Sequence, residues 1–197
     1  MTRNTRTEYM VQMALLIAVV IIMAFTPIGY IKALGLEIAL VVIPVAVGAV
    51  FLGPKGGAVL GAAFGLTSFA RCFGLSGFTT MLFGLKPIAM TFTCLVPRIL
   101  EGWLTGLIYQ ALKKAKAKGA VLIASLCCPI LNTLMFMTCI VLFFYHTDYV
   151  QGFVTTLHAT NPVMFVVLFV GINGVVEILA CGLIGTAVSK ALLRMKR

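Results

Sequence analysis

Three polar side chains lie within long apolar stretches of the sequence: Arg98, Asn132 and Asn173. Ionisable groups are expensive in hydrocarbon, so such a residue inside an apolar stretch marks a functional site by default. An arginine guanidinium binds a carboxylate through two parallel hydrogen bonds, and an asparagine amide both donates and accepts. Together these residue types would bind a small ligand that carries a carboxylate and amide or hydroxyl groups.

A structural interpretation of the same residues stays open. Glu101 follows Arg98 by three residues, and Glu177 lies in another apolar stretch, so either carboxylate could neutralise the guanidinium. The two asparagines would then only join helices through hydrogen bonds. For Glu101 and Glu177 themselves, structural pairing is the interpretation that we favour.

The composition requires that these residues be positioned by membrane helices. Of the 197 residues, 61% are hydrophobic and 10% are charged, and the mean hydropathy is +1.13. A soluble chain of this length could not bury so much apolar surface. Disordered chains, fibrous repeats and disulfide-stapled secreted domains are excluded as well. The sequence therefore predicts a polytopic protein of the lipid bilayer.

The charge and the cysteines exclude two further classes of protein. The net charge is +10, but the basic residues cluster in short patches between apolar stretches, which is typical of membrane orientation and not of nucleic-acid binding. The six cysteines form no CxxC pair and have no histidine at metal-ligand spacing, so we expect buried thiols and no metal site.

Six apolar stretches predict an all-α membrane protein whose residues 1–197 form a single transmembrane domain. Pro44 is expected to kink the second stretch. The stretches are Met10–Pro27, Glu37–Leu52, Gly56–Ala70, Lys86–Leu112, Gly119–Tyr145 and Pro162–Leu193.

The positive-inside rule predicts the orientation of these six helices. With both termini in the cytoplasm, the inner patches hold 11 of the 15 lysines and arginines. The outer loops are then residues 28–36, 71–85 and 146–161. We therefore expect a multi-pass protein of the bacterial plasma membrane with both of its termini inside.

The three polar residues are expected at one depth. Arg98 is 12 residues from Lys86, Asn132 is 13 from Tyr145, and Asn173 is 11 from Pro162. At about 1.5 Å per residue, each lies roughly 16–20 Å below the outer surface. The pattern predicts a pocket open to the outside.

Further substrate-binding candidates lie towards the outer rim of this pocket. They are Tyr30, with Lys32 beside it, Lys86 at the outer end of the fourth stretch, and Phe78 in the loop 71–85. That loop combines glycines with aromatic residues, so it could close over a ligand or serve only as an interfacial anchor.

Motifs for catalysis are missing or misplaced. The sequence has no phosphate-binding loop of the type GxxxxGK[ST], so we expect no ATP hydrolysis by this chain. The run Gly74–Gly77 matches the GxSG of rhomboid-type intramembrane proteases. However, both histidines lie in another loop, where they cannot activate Ser76. We expect a protein that is not an enzyme and has no catalytic residues.

Several stretches together resemble the substrate-binding S components of energy-coupling factor (ECF) vitamin transporters. These are a basic N-terminus before Ala14-x-x-x-Ala18, Ile43-Pro44, the stretch LGPKGGAVLGAAFGLTSFARCFG (52–74) and Pro97-Arg98. The resemblance covers nearly the whole chain. Within the family, the motifs look most like the pantothenate group.

The resemblance implies a transport subunit with partners. Ala14 and Ala18 would dock on a transmembrane coupling protein, and two partner ATPases would use ATP and Mg, so this chain itself needs no cofactor. The substrate would be a small anionic vitamin, most simply pantothenate, since one arginine and two asparagines match its carboxylate, amide and hydroxyls. The alternatives are another vitamin, such as folate, or a self-contained secondary carrier.

Overall fold

The computed structural model describes residues 5–33 and 36–195, which are mostly helical. Arg3, Lys196 and Arg197, which contribute to the predicted inner patches, lie outside the described residues. The elements are α1 (Thr5–Phe25), β1 (Tyr30–Ala33), β2 (Leu36–Ala39), α2 (Val42–Arg71), α3 (Gly77–Leu85), α4 (Pro87–Lys114), α5 (Ala120–Phe144), α6 (Asp148–Thr156), α7 (Pro162–Ala180) and α8 (Thr186–Met195), with a π-helical segment, Cys181–Gly185, between α7 and α8.

Four helical stretches of the described residues are long and apolar enough to cross a membrane: Arg6–Phe25, Val42–Arg71, Ala120–Phe144 and Asn173–Met195. Helix α4 has 28 residues, which is also long enough, but it contains Arg98 and Glu101. The number of six spans and the orientation of the termini remain predictions. For convenience, the end of the bundle at which α4 begins and α5 ends is called the outer end.

The second predicted span is wrong at its start. Residues 36–39 form β2, which pairs antiparallel with β1, and Tyr30 lies opposite Ala39 in the register. The chain is therefore not purely α-helical. Pro44 is only the third residue of α2 and causes no kink, because the first turn of a helix tolerates proline.

The break in α2 lies at Gly53, whose φ of 82° and ψ of −173° are not helical. In a continuous helix, residues 48 and 60 would be about 18 Å apart. Instead, a Cβ on Gly48 would overlap the side chain of Leu60, and a Cβ on Gly57 would lie 2.9 Å from that of Ala49. The chain thus turns back at Gly53 and forms two antiparallel arms, 42–52 and 54–71, as the sequence predicts.

The second arm of α2 packs so closely against α4 that the backbones of the two helices are in contact. Glycines at four-residue spacing in the arm meet backbone groups of α4 at the same spacing, and in each pair a Cβ would strike or crowd the facing carbonyl. Small residues at this spacing permit close helix packing in a membrane. The pairs are Gly57 with Gly102, Gly61 with Arg98, and Gly65 with Cys94.

The buried polar residues lie between apolar clusters. An outer cluster includes Cys94 of α4, Met137 of α5 and Phe165 of α7. Further along the same helices or their continuation, members of two other clusters lie deeper: Tyr109, Cys128 and Cys181. On each helix, the predicted polar residues fall between these two levels. The fold therefore brings them to a common layer of the bundle.

Candidate functional site

Arg98 lies between two aromatic rings in the interior of the bundle. Its guanidinium carbon is 4.3 Å from the ring centre of Phe136 on α5 and 5.2 Å from that of Phe64 on α2. Both distances are in the range of cation–π attraction. The residue is buried, and Nε and Nη1 have no hydrogen-bond partner within the described part of the chain.

Two other polar groups of this layer also lack partners. Both carboxylate oxygens of Glu101 and Oδ1 of Asn132 are buried without a hydrogen bond among the described residues. Glu101 therefore accepts no hydrogen bond from Arg98 in this structure. Asn132 lies one helical turn before Phe136 on α5, so it shares the face that meets Arg98.

Asn173 and Glu177 on α7 are buried as well, one turn apart. Oε1 of Glu177 accepts a hydrogen bond of 2.7 Å from the backbone N–H of Ala39. The carboxylate therefore holds the end of β2 against α7, and it is engaged with the hairpin instead of forming an ion pair with Arg98.

Arg71, at the end of α2, fastens the hairpin from the other side. Its Nη1 donates to the carbonyl of Ala24 at 2.8 Å, and its Nη2 donates to Oε2 of Glu37 at 2.8 Å. The guanidinium carbon also lies 3.8 Å from the ring centre of Tyr30. One buried arginine thus joins α1, α2 and both strands.

The roles of Arg71 and Glu37 were not predicted from the sequence. A signal was available: they are opposite charges at the outer start of the second predicted span and the outer end of the third. Oppositely charged residues at adjacent helix ends favour an ion pair. The assignment of Glu37 to a helix obscured it.

Tyr30 links the hairpin to the buried layer. Its hydroxyl lies 3.4 Å from the hydroxyl of Ser68, and the charge of Arg98 is near enough to lower the pKa of the phenol, against the larger effect of burial. Burial raises the pKa of the Tyr30 phenol, so the hydroxyl stays protonated at physiological pH and can donate. The side chain of Lys32 lies outside the described part of the structure.

Phe78 and Lys86 lie towards the outer end. Phe78 on α3 is buried, with its ring 5.4 Å from that of Phe169, in a cluster that also includes Tyr149 and Phe153. Predicted as loop, residues 77–85 are thus a helix that covers the bundle. Lys86 is exposed and its Nζ donates to the carbonyl of Phe143 at 2.8 Å, so the structure does not bring it to Arg98.

Ala14 and Ala18 lie on the face of α1 that points away from the bundle. Both are exposed, whereas Met13, Leu16 and Val20 are buried against α2. Their neighbour Leu15 is 64% exposed. This face is free to contact lipid or another membrane protein.

Comparison with known proteins identifies the family of this chain. Residues 8–188 match the family described as ECF transporter, substrate-specific component. A stretch of 121 residues is 27% identical to the pantothenate transporter PanT of Leuconostoc mesenteroides subsp. mesenteroides. This stretch covers 59% of the chain and 57% of the relative, so the chain spans less than two thirds of that protein's length.

The family match covers most of the chain and confirms the resemblance found in the sequence. The family is one of transporter subunits and not of enzymes, and the apolar helices agree with a multi-pass membrane protein. This chain belongs to the substrate-specific components of ECF transporters.

Proposed function

We propose that this protein is the substrate-binding membrane subunit of an ATP-driven vitamin importer, and that it captures a small anionic vitamin, best represented by pantothenate. The observation that carries the proposal is the buried guanidinium of Arg98, which has two nitrogens without partners. A buried charge without a partner is strongly unfavourable. A ligand carboxylate would supply the missing acceptor.

The neighbouring groups suit a ligand of this chemistry. Pantothenate has one carboxylate, one amide and two hydroxyls. Asn132 and Asn173 could bind the amide and the hydroxyls. Oδ1 of Asn132 has no donor among the described residues and could accept a hydrogen bond from the ligand. The name of the Leuconostoc relative, a pantothenate transporter, supports the choice of pantothenate. Folate is the alternative anionic vitamin.

The hairpin would cover the bound ligand. Glu177 and Arg71 hold β2 from two sides, and Tyr30 on β1 lies within range of the charge of Arg98. Binding from outside would therefore require the hairpin or the α3 segment to open and then close again. Such closure excludes water and strengthens the pairing of Arg98 with a carboxylate.

Partner subunits would supply the energy. We infer that Ala14 and Ala18 dock on a transmembrane coupling protein, because both are exposed on a face of small and apolar residues. ATP and Mg would be bound by two ATPase subunits. The absence of a phosphate-binding loop from the sequence agrees with this division of labour.

Calorimetric titration tests the proposal. The purified, detergent-solubilised chain is titrated with pantothenate, folate and riboflavin, and the experiment is repeated with Arg98→Ala, Arg98→Lys and the remote control Lys114→Ala. Removing one partner of a buried charge pair costs about 2–5 kcal/mol. We therefore expect Arg98→Ala to weaken pantothenate binding about 30-fold to a few thousandfold.

The control variants make the result specific. Arg98→Lys keeps the charge but cannot form two parallel hydrogen bonds to the ligand carboxylate, so we expect an intermediate affinity. Lys114→Ala should bind like the wild type. Tight binding of folate alone would overturn the pantothenate assignment but keep the subunit role. Uptake that persists without the ATPases and collapses with the proton gradient would instead indicate a secondary carrier.

A further inference from the structure

A cavity with basic side chains in its lining lies at the opposite end of the bundle from the hairpin. It has a volume of about 390 Å³ and is formed where α4 ends, α5 begins and α8 passes. Three lysines from three segments line it: Lys113 of α4, Lys116 of the connecting turn and Lys190 of α8. Tyr109 also lines the cavity and belongs to the apolar cluster that contains Val50 and Ala124.

The backbone fixes the turn that carries these lysines. The N–H of Ala117 donates to the carbonyl of Leu112 at 3.0 Å, which closes the C-terminal end of α4. Lys116 has a φ of 51° and Gly119 a φ of 89°, so both adopt the left-handed conformation that turns the chain into α5. The lysines are therefore presented by an ordered turn.

The electrostatic field of the cavity favours an anion. No acidic residue lines it among the described residues, and the sequence has only five acidic residues in all. Of these, Glu8, near the start of α1, lies at the same end of the bundle as the cavity, while Glu37 and Asp148 lie towards the outer end. The N-terminus of α5 also contributes backbone N–H groups and no side chain caps it.

Exposed apolar side chains directly follow the cavity-lining residue Val121 along α5. Leu122 and Ile123, in the first turn of α5, are 42% and 39% exposed. In the π-helical segment before α8, Leu183 is 73% exposed. A ligand with a charged head and long apolar chains would use both surfaces, whereas a free inorganic anion would use only the lysines.

We propose that this lysine cavity binds the phosphate headgroup of an anionic phospholipid, with its acyl chains against the exposed leucines and isoleucine of α5 and the π-helical segment. Basic pockets between membrane helices at the inner surface bind such headgroups in general. The proposal does not depend on the vitamin site. It depends on the location of the chain in a bilayer and on the predicted orientation, which places this end at the inner leaflet.

Native mass spectrometry of the full chain tests the lysine cavity. The protein is equilibrated with dioleoyl phosphatidylglycerol and dioleoyl phosphatidylcholine, which have equal acyl chains, and the retained lipid is counted. The test variant is Lys113→Gln/Lys116→Gln/Lys190→Gln. The matched control, Lys114→Gln/Lys118→Gln/Arg194→Gln, removes the same charge from exposed residues of the same end that do not line the cavity.

We expect the wild type to retain phosphatidylglycerol over phosphatidylcholine about tenfold or more. The test variant should lose this preference, and the control should keep most of it. Equal loss in both variants would overturn the proposal in favour of unspecific attraction. Displacement by millimolar inorganic phosphate at constant ionic strength would also overturn it, since a free anion would then suffice.

A third arm separates lipid from a protein partner. The test variant is assayed for co-purification with the ATPase and coupling subunits. If the test variant keeps phosphatidylglycerol but loses its partners, the lysines bind protein and the lipid assignment is wrong. Circular dichroism and size-exclusion chromatography show that each variant is folded before these comparisons.

Discussion

Replacing Gly61 with alanine adds one methyl group at the point where α2 lies closest to Arg98. A Cβ at this position would overlap the backbone carbonyl of Arg98. Overfilling a packed interface costs about 1–3 kcal/mol. We expect the upper part of this range, because a carbonyl within a helix cannot rotate away as a flexible side chain can.

Two opposing effects set the net result for Gly61→Ala. Alanine favours a helix over glycine by about 0.5–1 kcal/mol, which offsets part of the clash. A net loss of about 2 kcal/mol would lower the apparent Tm by roughly 4–8 °C for a chain of this size. Because α4 must move with its carbonyl, Arg98 moves too, and vitamin affinity should fall with stability.

A graded series makes this prediction specific. At Gly65, a Cβ would lie 3.0 Å from the carbonyl of Cys94, so Gly65→Ala should cost less than Gly61→Ala. At Gly171 in α7, a Cβ would meet nothing within 4 Å, so Gly171→Ala should be neutral or stabilise by about 0.5–1 kcal/mol. Thermal unfolding in detergent and pantothenate titration measure the series.

The reasoning would be refuted by a different order. If Gly61→Ala unfolds at the wild-type temperature and binds pantothenate with unchanged affinity, then α2 and α4 are not in backbone contact beside Arg98. If Gly171→Ala is as harmful as Gly61→Ala, the effect arises from the loss of glycine in any helix and not from this packing.

Two further variants test the outer hairpin and the face of α1. Arg71→Met removes the hydrogen bonds that join α1 and β2. Because charged hydrogen bonds are each worth about 1.5–3 kcal/mol, amide hydrogen exchange in residues 30–39 should accelerate by at least about tenfold. Unchanged exchange would show that the hairpin is held by other contacts. Ala14→Trp or Ala18→Trp should block uptake while vitamin binding stays intact. Ala187→Trp, at an exposed position of α8, serves as the control. Loss of binding in the α1 variants would count against a docking face.

Much of the helical architecture was predictable from the sequence. The first, fourth and fifth predicted spans agree with α1, α4 and α5 to within a few residues, and the turn at Gly53 falls between the second and third predicted spans. The common depth of Arg98, Asn132 and Asn173, counted along straight helices, stays a prediction, although all three side chains are buried. These features depend on local hydrophobicity and helical rise, which a single sequence contains.

The hairpin was not predictable in the same way. Residues 37–39 directly precede a long apolar stretch, so they were assigned to the second span. They form a strand because Arg71 and Glu177, from distant parts of the chain, bind Glu37 and the backbone of Ala39. Short apolar runs do not distinguish strand from helix, and tertiary contacts decide.

The sequence by itself determined that this chain lies in a membrane, which residues are polar within it, and which family it belongs to. Those properties follow from composition and motifs along the chain. Only the tertiary structure decided that Arg98 faces Phe64 and Phe136 and donates no hydrogen bond to Glu101, and that Glu177 is engaged by the hairpin. Pairing of buried charges depends on side-chain directions across helices, and residue spacing along one helix does not contain that information.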